Sequence, residues 1–387
     1  MLFYYLIFFL ALLVYFFSEG LQEKQQNLKL LLVFMAGLCL FVGFADMLGG
    51  YDRYIYCELF DDAANVVTKG RKFGDAVIFD EYPKEYFYDW YNIIVGMITE
   101  NRYVFVFITT LIIYILLFNS IRRYCTNYPF AIILFLGLWF FFTFTYLRQA
   151  MAATIAWLSI KYVVDRKFWK FLIVWYIAYR FHNSALILLP LYFIPIKKFD
   201  KTQVLWVMGL CFLLGVTGIP SGLFAAYGEM DPNRTSVGNE SGFRLPYMLE
   251  AGFFLWLILT HYDEIPNTKL KIVLMNMALI FCAILLFFIK SDNGGRMSWY
   301  YMIGVISTIT YLCTYTSSNR KYVILMIIVS FFLFNRIVID WGIELYPYKT
   351  FLSNGIRKND IIEVMYEYDH GYDENKFYRP VFRFMKK

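Results

Sequence analysis

Metal and thiol chemistry have little to work with in this chain, which holds six cysteines and three histidines. Cys39, Cys57, Cys125, Cys211, Cys282 and Cys313 are scattered, mostly inside apolar runs, with no CxxC pair and no Cys/His cluster. Neither a disulfide framework nor a zinc site is expected. Asp61-Asp62 has no accompanying DxD or histidine cluster, so a metal-independent chemistry without cofactor is expected. Charge is scarce too, at 17% of residues. No Lys or Arg precedes Lys24 and no A-x-A pattern follows the first apolar run, which excludes the usual cleaved leader and makes Leu2–Phe17 a retained span. No internal repeat is visible.

What is present is hydrophobic: 60% of residues are apolar and 21% aromatic, with a mean hydropathy of +0.52. That exceeds the apolar content of a soluble domain and predicts an all-α polytopic membrane protein. The net charge of +6 reports orientation, because much of the basic excess lies in short loops; no nucleic-acid partner is expected. Spans are predicted at Leu2–Phe17, Leu30–Ala45, Tyr103–Phe118, Phe130–Leu147, Gln149–Val164, Val204–Ile219, Met248–His261, Ile272–Ile289, Met297–Tyr315 and Tyr322–Ile339. Each approaches the ~20 residues that cross ~30 Å of hydrocarbon. They make one transmembrane domain, 1–339, with a long loop at 46–102, a second loop at 220–247 and a polar tail at 340–387 to which no task can be given.

Arg122 and Arg123, then Lys161, Arg166, Lys167 and Lys170, then Lys197, Lys198 and Lys201, then Arg320 and Lys321 belong on the cytoplasmic side by the positive-inside rule. The first loop, with eleven acids against six Lys or Arg, then falls outside, as do Arg148 and Arg296. Trp169–Ile196 has basic loops at both ends, so it must enter and return. Its arms, Trp169–Arg180 and Ser184–Pro195, have twelve residues each. An arm of that length reaches about 18 Å as α-helix, short of the ~30 Å core. The segment is therefore predicted to be a re-entrant hairpin with its apex at Arg180-Phe181-His182-Asn183, tolerated only where it lines an enclosed polar cavity. With the hairpin there are twelve spans and both termini outside; as one tilted helix it would leave eleven.

Arg148, Arg180 and His182 interrupt sequence that is otherwise apolar enough for lipid. A mid-bilayer arginine costs roughly 2.5 to 3.5 kcal/mol on insertion scales, so such residues mark a functional cavity. Gly294-Gly295 before Arg296 reads as a tight turn, with an anion nest as the alternative. Tyr51, Tyr54, Tyr56, Tyr86, Tyr88, Trp90 and Tyr91 crowd the outer loop, first as an interfacial belt and second as a platform for sugars.

Arg148-Gln149-Ala150, then Ala178, then Phe181-His182-Asn183-Ser184-Ala185-Leu186 ahead of Pro190, resembles the RQ…A…FH-x-SA signature of the EpsG family of Wzy-like polysaccharide polymerases of bacterial capsule and exopolysaccharide pathways. Shorter segments agree in order. Gly50-Tyr51-Asp52-Arg53-Tyr54-Ile55-Tyr56 is similar to the family's G-x-D-x-x-x-Y, and Glu85-Tyr86-Phe87-Tyr88 with Trp90-Tyr91-Asn92 to its acidic-aromatic segment. Arg296 with Tyr300 and Tyr301, and Pro347-Tyr348-Lys349, match its C-terminal Arg and PYK positions. The similarity runs roughly from Leu2 to Lys349. One departure is Asp46, in the region where family members often carry an arginine.

The resemblance implies a fold like the C-type glycosyltransferases. It also implies an enzyme that moves a growing glycan from its polyprenyl-diphosphate carrier to a new lipid-linked repeat unit at the outer face of the inner membrane. Donor and acceptor, the bilayer, a chain-length regulator and a flippase are the implied partners. Arginine pairs bidentately with phosphate oxygens and never deprotonates, so Arg148, Arg180, Arg296 and Arg53 are candidate diphosphate ligands. His182 is a candidate proton acceptor for the acceptor hydroxyl and Asp52 its rival. Gln149, Ser184, Tyr300, Tyr348 and Lys349 are further candidate substrate contacts. A lipid-linked oligosaccharide flippase and a membrane O-acyltransferase are the competing classes. The first predicts internal repeats, and the second a cytosolic acyl donor that an outward-opening His182 does not meet.

Overall fold

The computed structural model describes residues 1–18, 27–46, 51–223, 242–291, 294–315, 319–345, 348–353 and 375–385. Gly50, Pro347, most of the second loop and much of the tail lie outside the described residues. The main helices are α1 (Leu2–Ser18), α2 (Leu28–Phe44), α3 (Tyr51–Thr68), α4 (Tyr86–Ile98), α5 (Arg102–Tyr124), α6 (Tyr128–Leu138) and α7 (Leu147–Trp157). After them come α8 (Phe168–Phe181), α9 (Lys201–Thr217), α10 (Leu245–Thr260), α11 (Lys269–Phe287), α12 (Met302–Tyr315) and α13 (Asn319–Asp340). Two long 3₁₀ segments, Asn183–Tyr192 and Gly294–Tyr301, interrupt this order. No strand occurs among the described residues, only a bridge between Ala45 and Thr350.

Arg102–Tyr124, Lys269–Phe287 and Arg320–Asp340 are each long and apolar enough to cross a bilayer, and six shorter apolar helical segments accompany them. The protein is all-α and polytopic. Helices α1, α9 and α13 turn large apolar side chains outward, among them Phe9, Trp206 and Phe332, as surfaces facing lipid do. Every residue of α6 is buried, and α11 packs on α9, α10 and α12. Asn101 starts α5 by accepting the Tyr103 N–H at 3.0 Å. Arg122 and Arg123 occupy its last turn, where the carbonyl end of the helix dipole favours cations.

The span expected at Phe130–Leu147 is broken. Helix α6 ends at Leu138 and only the turn Phe142–Thr145 follows before α7. Aromatic and β-branched residues fill the gap, and the Thr143 hydroxyl donates to the Phe140 carbonyl at 2.6 Å, a local bond that competes with the helical ladder. Phe141 packs on Phe334 and Phe142 stacks on Trp299. The break restarts the helix so that Arg148 and Gln149 fall in its first turn.

Trp169–Ile196 does form a hairpin, with unlike arms. Helix α8 has 14 residues and the returning 3₁₀ segment 10. At about 1.5 Å and about 2.0 Å per residue the two arms have nearly the same reach, roughly 20 Å. The Trp175 indole donates to the Ala185 carbonyl at 2.9 Å near the apex. At the open end the Arg166 guanidinium donates to the carbonyls of Tyr192 and Ile194. Arg166 sits at φ 55°, a left-handed conformation unusual for a side-chain-bearing residue, and its two bonds hold the turn that opens the hairpin.

The tail has a place after all. Asp46 N–H donates to the Lys349 carbonyl and Phe351 N–H to that of Phe44, both at 3.0 Å. Lys376 Nζ lies 3.2 Å from Asp46 Oδ2, with both side chains at most 1% exposed. Asn101 donates to the Lys376 carbonyl at 2.8 Å, Tyr378 to Asp61 at 3.1 Å and Arg383 to Thr68 at 2.7 Å. Residues 375–385 thus strap α3 and the start of α5, and the tail shares the side of the 46–102 loop. Replacing Lys376 with Met strands a buried Asp46 carboxylate, a loss of roughly 3–5 kcal/mol for such pairs. The expected result is a large fall in the thermal unfolding midpoint in detergent, mostly regained on adding Asp46→Leu; equal midpoints for Lys376→Met and the native protein would contradict the strap.

Candidate active site

Glu85 is where the 46–102 loop, the interrupted span and the hairpin meet. It stands at the N-cap of α4 and is 2% exposed. Its Oε2 accepts from Arg148 Nη1 at 2.5 Å, and its Oε1 accepts the Asn183 backbone N–H at 2.9 Å. His182 Nδ1 is 3.8 Å from Oε1. A cation in the first turn of α7 opposes the helix dipole, so Arg148 depends on this carboxylate. Three tyrosines complete its surroundings: the guanidinium lies 3.5 Å from the centre of the Tyr82 ring, 5.7 Å from that of Tyr56 and 5.8 Å from that of Tyr88, all within cation–π range.

From this pair a hydrogen-bonded chain runs across the hairpin apex. Ser184 Oγ is 2.7 Å from His182 Nδ1 and 2.8 Å from the Tyr300 hydroxyl. The Ser184 backbone N–H also donates to His182 Nδ1, at 3.2 Å. That bond requires a lone pair on Nδ1, which places the ring proton of neutral His182 on Nε2. His182 thereby caps the 3₁₀ segment and offers an N–H, so the geometry suits a donor better than a base. Gln149 Nε2 donates to the Arg296 carbonyl at 3.1 Å and lies 3.5 Å from Ser184 Oγ. Trp157 donates to the Tyr300 carbonyl at 2.9 Å. Helix α7 thus fixes the Gly294–Tyr301 segment against the hairpin. Its glycines are there for packing: a Cβ at Gly294 would lie 2.5 Å from Phe288 Cβ, and one at Gly295 2.4 Å from the Tyr247 ring.

Asp52, in the first turn of α3, is half-buried and feels both Arg148 and Arg296, with a hydrogen bond to Tyr56. Burial raises its carboxyl above the ordinary range, although both arginines pull it down. The Arg296 guanidinium lies 4.9 Å from the Tyr146 ring centre. It lines a cleft of about 370 Å³ shared with Arg244, Arg336, Glu250, Trp299 and Trp341.

The sequence candidates divide accordingly. Arg148, Gln149, His182, Ser184, Tyr300, Arg296 and Asp52 come together. Arg180 stands at the apex, donating to the Lys84 carbonyl at 2.9 Å and to the Tyr176 hydroxyl at 3.0 Å, so it holds the residue before Glu85. Arg53 is fully buried and donates to the carbonyls of Val42 and Ala45 at 3.1 Å each; it finishes α2 instead of joining the site. Tyr348 stacks on Phe41 at 4.2 Å and donates to its carbonyl at 2.8 Å. Lys349 contributes its backbone to the Asp46 junction. Asp61 pairs with Arg102 at 2.6 Å, and Asp62 accepts the Val77 N–H at 2.8 Å, so both serve the scaffold. Glu85, Tyr82, Arg244 and Arg336 were not singled out; the signal for Glu85 was its place at the head of the acidic-aromatic segment.

These features define a polytopic all-α membrane protein with a charged, hydrogen-bonded cluster at the apex of a short hairpin. The chain belongs to the EpsG family, whose model matches residues 28–350. No curated protein and no solved structure matches it.

Asp89 lies one turn beyond Glu85, fully buried, with neither carboxylate oxygen hydrogen-bonded. Burial, reinforced by Glu85 and opposed by Arg148, pushes its carboxyl up to about 8. An unfolded aspartate titrates near ~3.9, so the folded state holds this proton more tightly. The associated stability is full below the unfolded value and is lost as pH rises through about 8. Asp89→Asn is expected to gain unfolding midpoint relative to the native protein as pH increases from 5 to 8; a pH-independent difference would refute this.

Proposed function

We propose that this EpsG-family protein is a polysaccharide polymerase of a bacterial inner membrane, with its site open to the exterior. It would transfer a growing glycan from a polyprenyl-diphosphate carrier to the sugar of a new lipid-linked repeat unit. The observation that carries the reading is the convergence, from segments far apart in the chain, of Asp52, Arg148, His182, Ser184, Tyr300 and Arg296 in one polar cluster. Family membership supports the polymerase role in its broader form.

In the reaction, an acceptor hydroxyl attacks the anomeric carbon of the donor sugar as the bond from that carbon to the diphosphate oxygen breaks. The electron pair leaves with the diphosphate, and the hydroxyl proton passes to a base. Asp52 suits that task, since its raised carboxyl lies within the influence of two arginines and is partly open. His182 Nε2–H acts as donor to a substrate oxygen. Arg296 faces the developing charge on the leaving diphosphate, where a fixed cation stabilises the transition state more than the ground state. Arg148 acts through Glu85 and positions the apex, and Arg180 does the same from the other side.

Purified protein in liposomes with lipid-linked repeat units is expected to yield a ladder of polymer lengths. A flippase would move the units without joining them, and an acyltransferase would modify them without a ladder. Asp52→Asn is expected to lower turnover by about 10² to 10⁴ and to remove the acidic limb of the rate–pH profile, which lies above the ordinary aspartate range. An undiminished ladder from both Asp52→Asn and His182→Ala would sink the assignment.

A further inference from the structure

The cleft beside Arg296 is built from parts the reaction scheme leaves unused. Arg244 precedes α10, Arg336 lies one turn before the end of α13, and Glu250 and Asp340 complete its charged lining. Among the described residues of the lining, three arginines outnumber two acidic residues. Arg336 pairs with Asp340 at 3.3 Å with both side chains about half exposed; exposed i,i+4 pairs of this kind are weak. A multivalent anion would displace Asp340 readily. Much of the remaining lining is apolar, with Phe142, Phe281, Leu285, Trp299, Leu333 and Ile337 among it. A cleft of about 370 Å³ lies in the size range of small-molecule sites. A lining that combines guanidinium groups with large apolar side chains matches an amphiphile, not a free sugar.

We infer that this cleft is the seat of an isoprenoid diphosphate, with Arg244, Arg296 and Arg336 on the phosphates and the first prenyl units against the apolar part of the lining. The inference rests on the polymerase reading for the identity of the lipid, and it adds Arg244 and Arg336 as ligands. Arginine's fork favours bidentate contact with a diphosphate over a point-charge contact, so Arg336→Lys should behave as a partial loss.

The test titrates farnesyl diphosphate into the full-length purified protein by calorimetry, with farnesol, inorganic diphosphate and phosphatidylglycerol as competitors. Arg244→Ala and Arg336→Ala are each expected to weaken farnesyl diphosphate at least tenfold, and Arg336→Lys less. Farnesol should bind native and variant proteins alike, and inorganic diphosphate should compete more weakly than the prenyl compound. Unchanged affinity in both alanine variants overturns the site. So does inorganic diphosphate binding as tightly as farnesyl diphosphate, which leaves the apolar lining without a role. Phosphatidylglycerol competing equally makes the cleft a general anionic-lipid site and overturns the carrier assignment. The two readings fail separately. A native protein that binds farnesyl diphosphate as expected but builds no ladder loses the polymerase reading and keeps the site. A ladder undiminished in the Arg244→Ala/Arg336→Ala double variant removes the site and keeps the polymerase.

Discussion

The arrangement depends on a single carboxylate placed where membrane protein would otherwise exclude charge. Glu85 carries Arg148 on one oxygen and the Asn183 N–H on the other, so one side chain ties together segments 63 and 98 residues away. Buried ion pairs add little net stability compared with apolar packing, but losing one partner leaves a costly bare charge. The pair therefore acts as a register pin: the hairpin apex, the restarted helix α7 and the loop helix α4 have one mutual placement in which both charges are satisfied.

Around that pin the loop is held from several directions. Arg53 ties α3 to the end of α2, Asp61 ties it to Arg102, and residues 375–385 lie across it. Asp46, in the region where the resemblance leads one to expect an arginine, is answered by Lys376, so the departure comes with its own counter-charge. Asp52 stands next to Arg53 in this clamped helix. That proximity explains how a loop residue can keep a fixed place within the influence of Arg148 and Arg296.

The hairpin was legible because arm length and basic flanks are arithmetic: two short arms with charge at both ends have to turn back. The 3₁₀ form of the second arm was not, since nothing in Ser184–Pro195 distinguishes it from an α-helix except Pro190. The break after Leu138 was hidden in an aromatic run that hydropathy reads as continuous. Arg148, His182 and Ser184 stood out because they are polar in an apolar setting. Glu85 did not, being one acid among eleven in a hydrophilic stretch, where burial leaves no compositional trace. Arg53 and Tyr348 looked functional for the opposite reason: a short motif names a residue but not the direction of its side chain, and both turn into the scaffold.

The position of residues 375–385 also orders events in time. They are translated after every helix of the bundle, yet they supply the counter-charge for Asp46 and the straps over α3. During synthesis, therefore, α3 lacks this strap, and Asp46 its counter-charge, until the distal segment has been made and has docked beside the 46–102 loop.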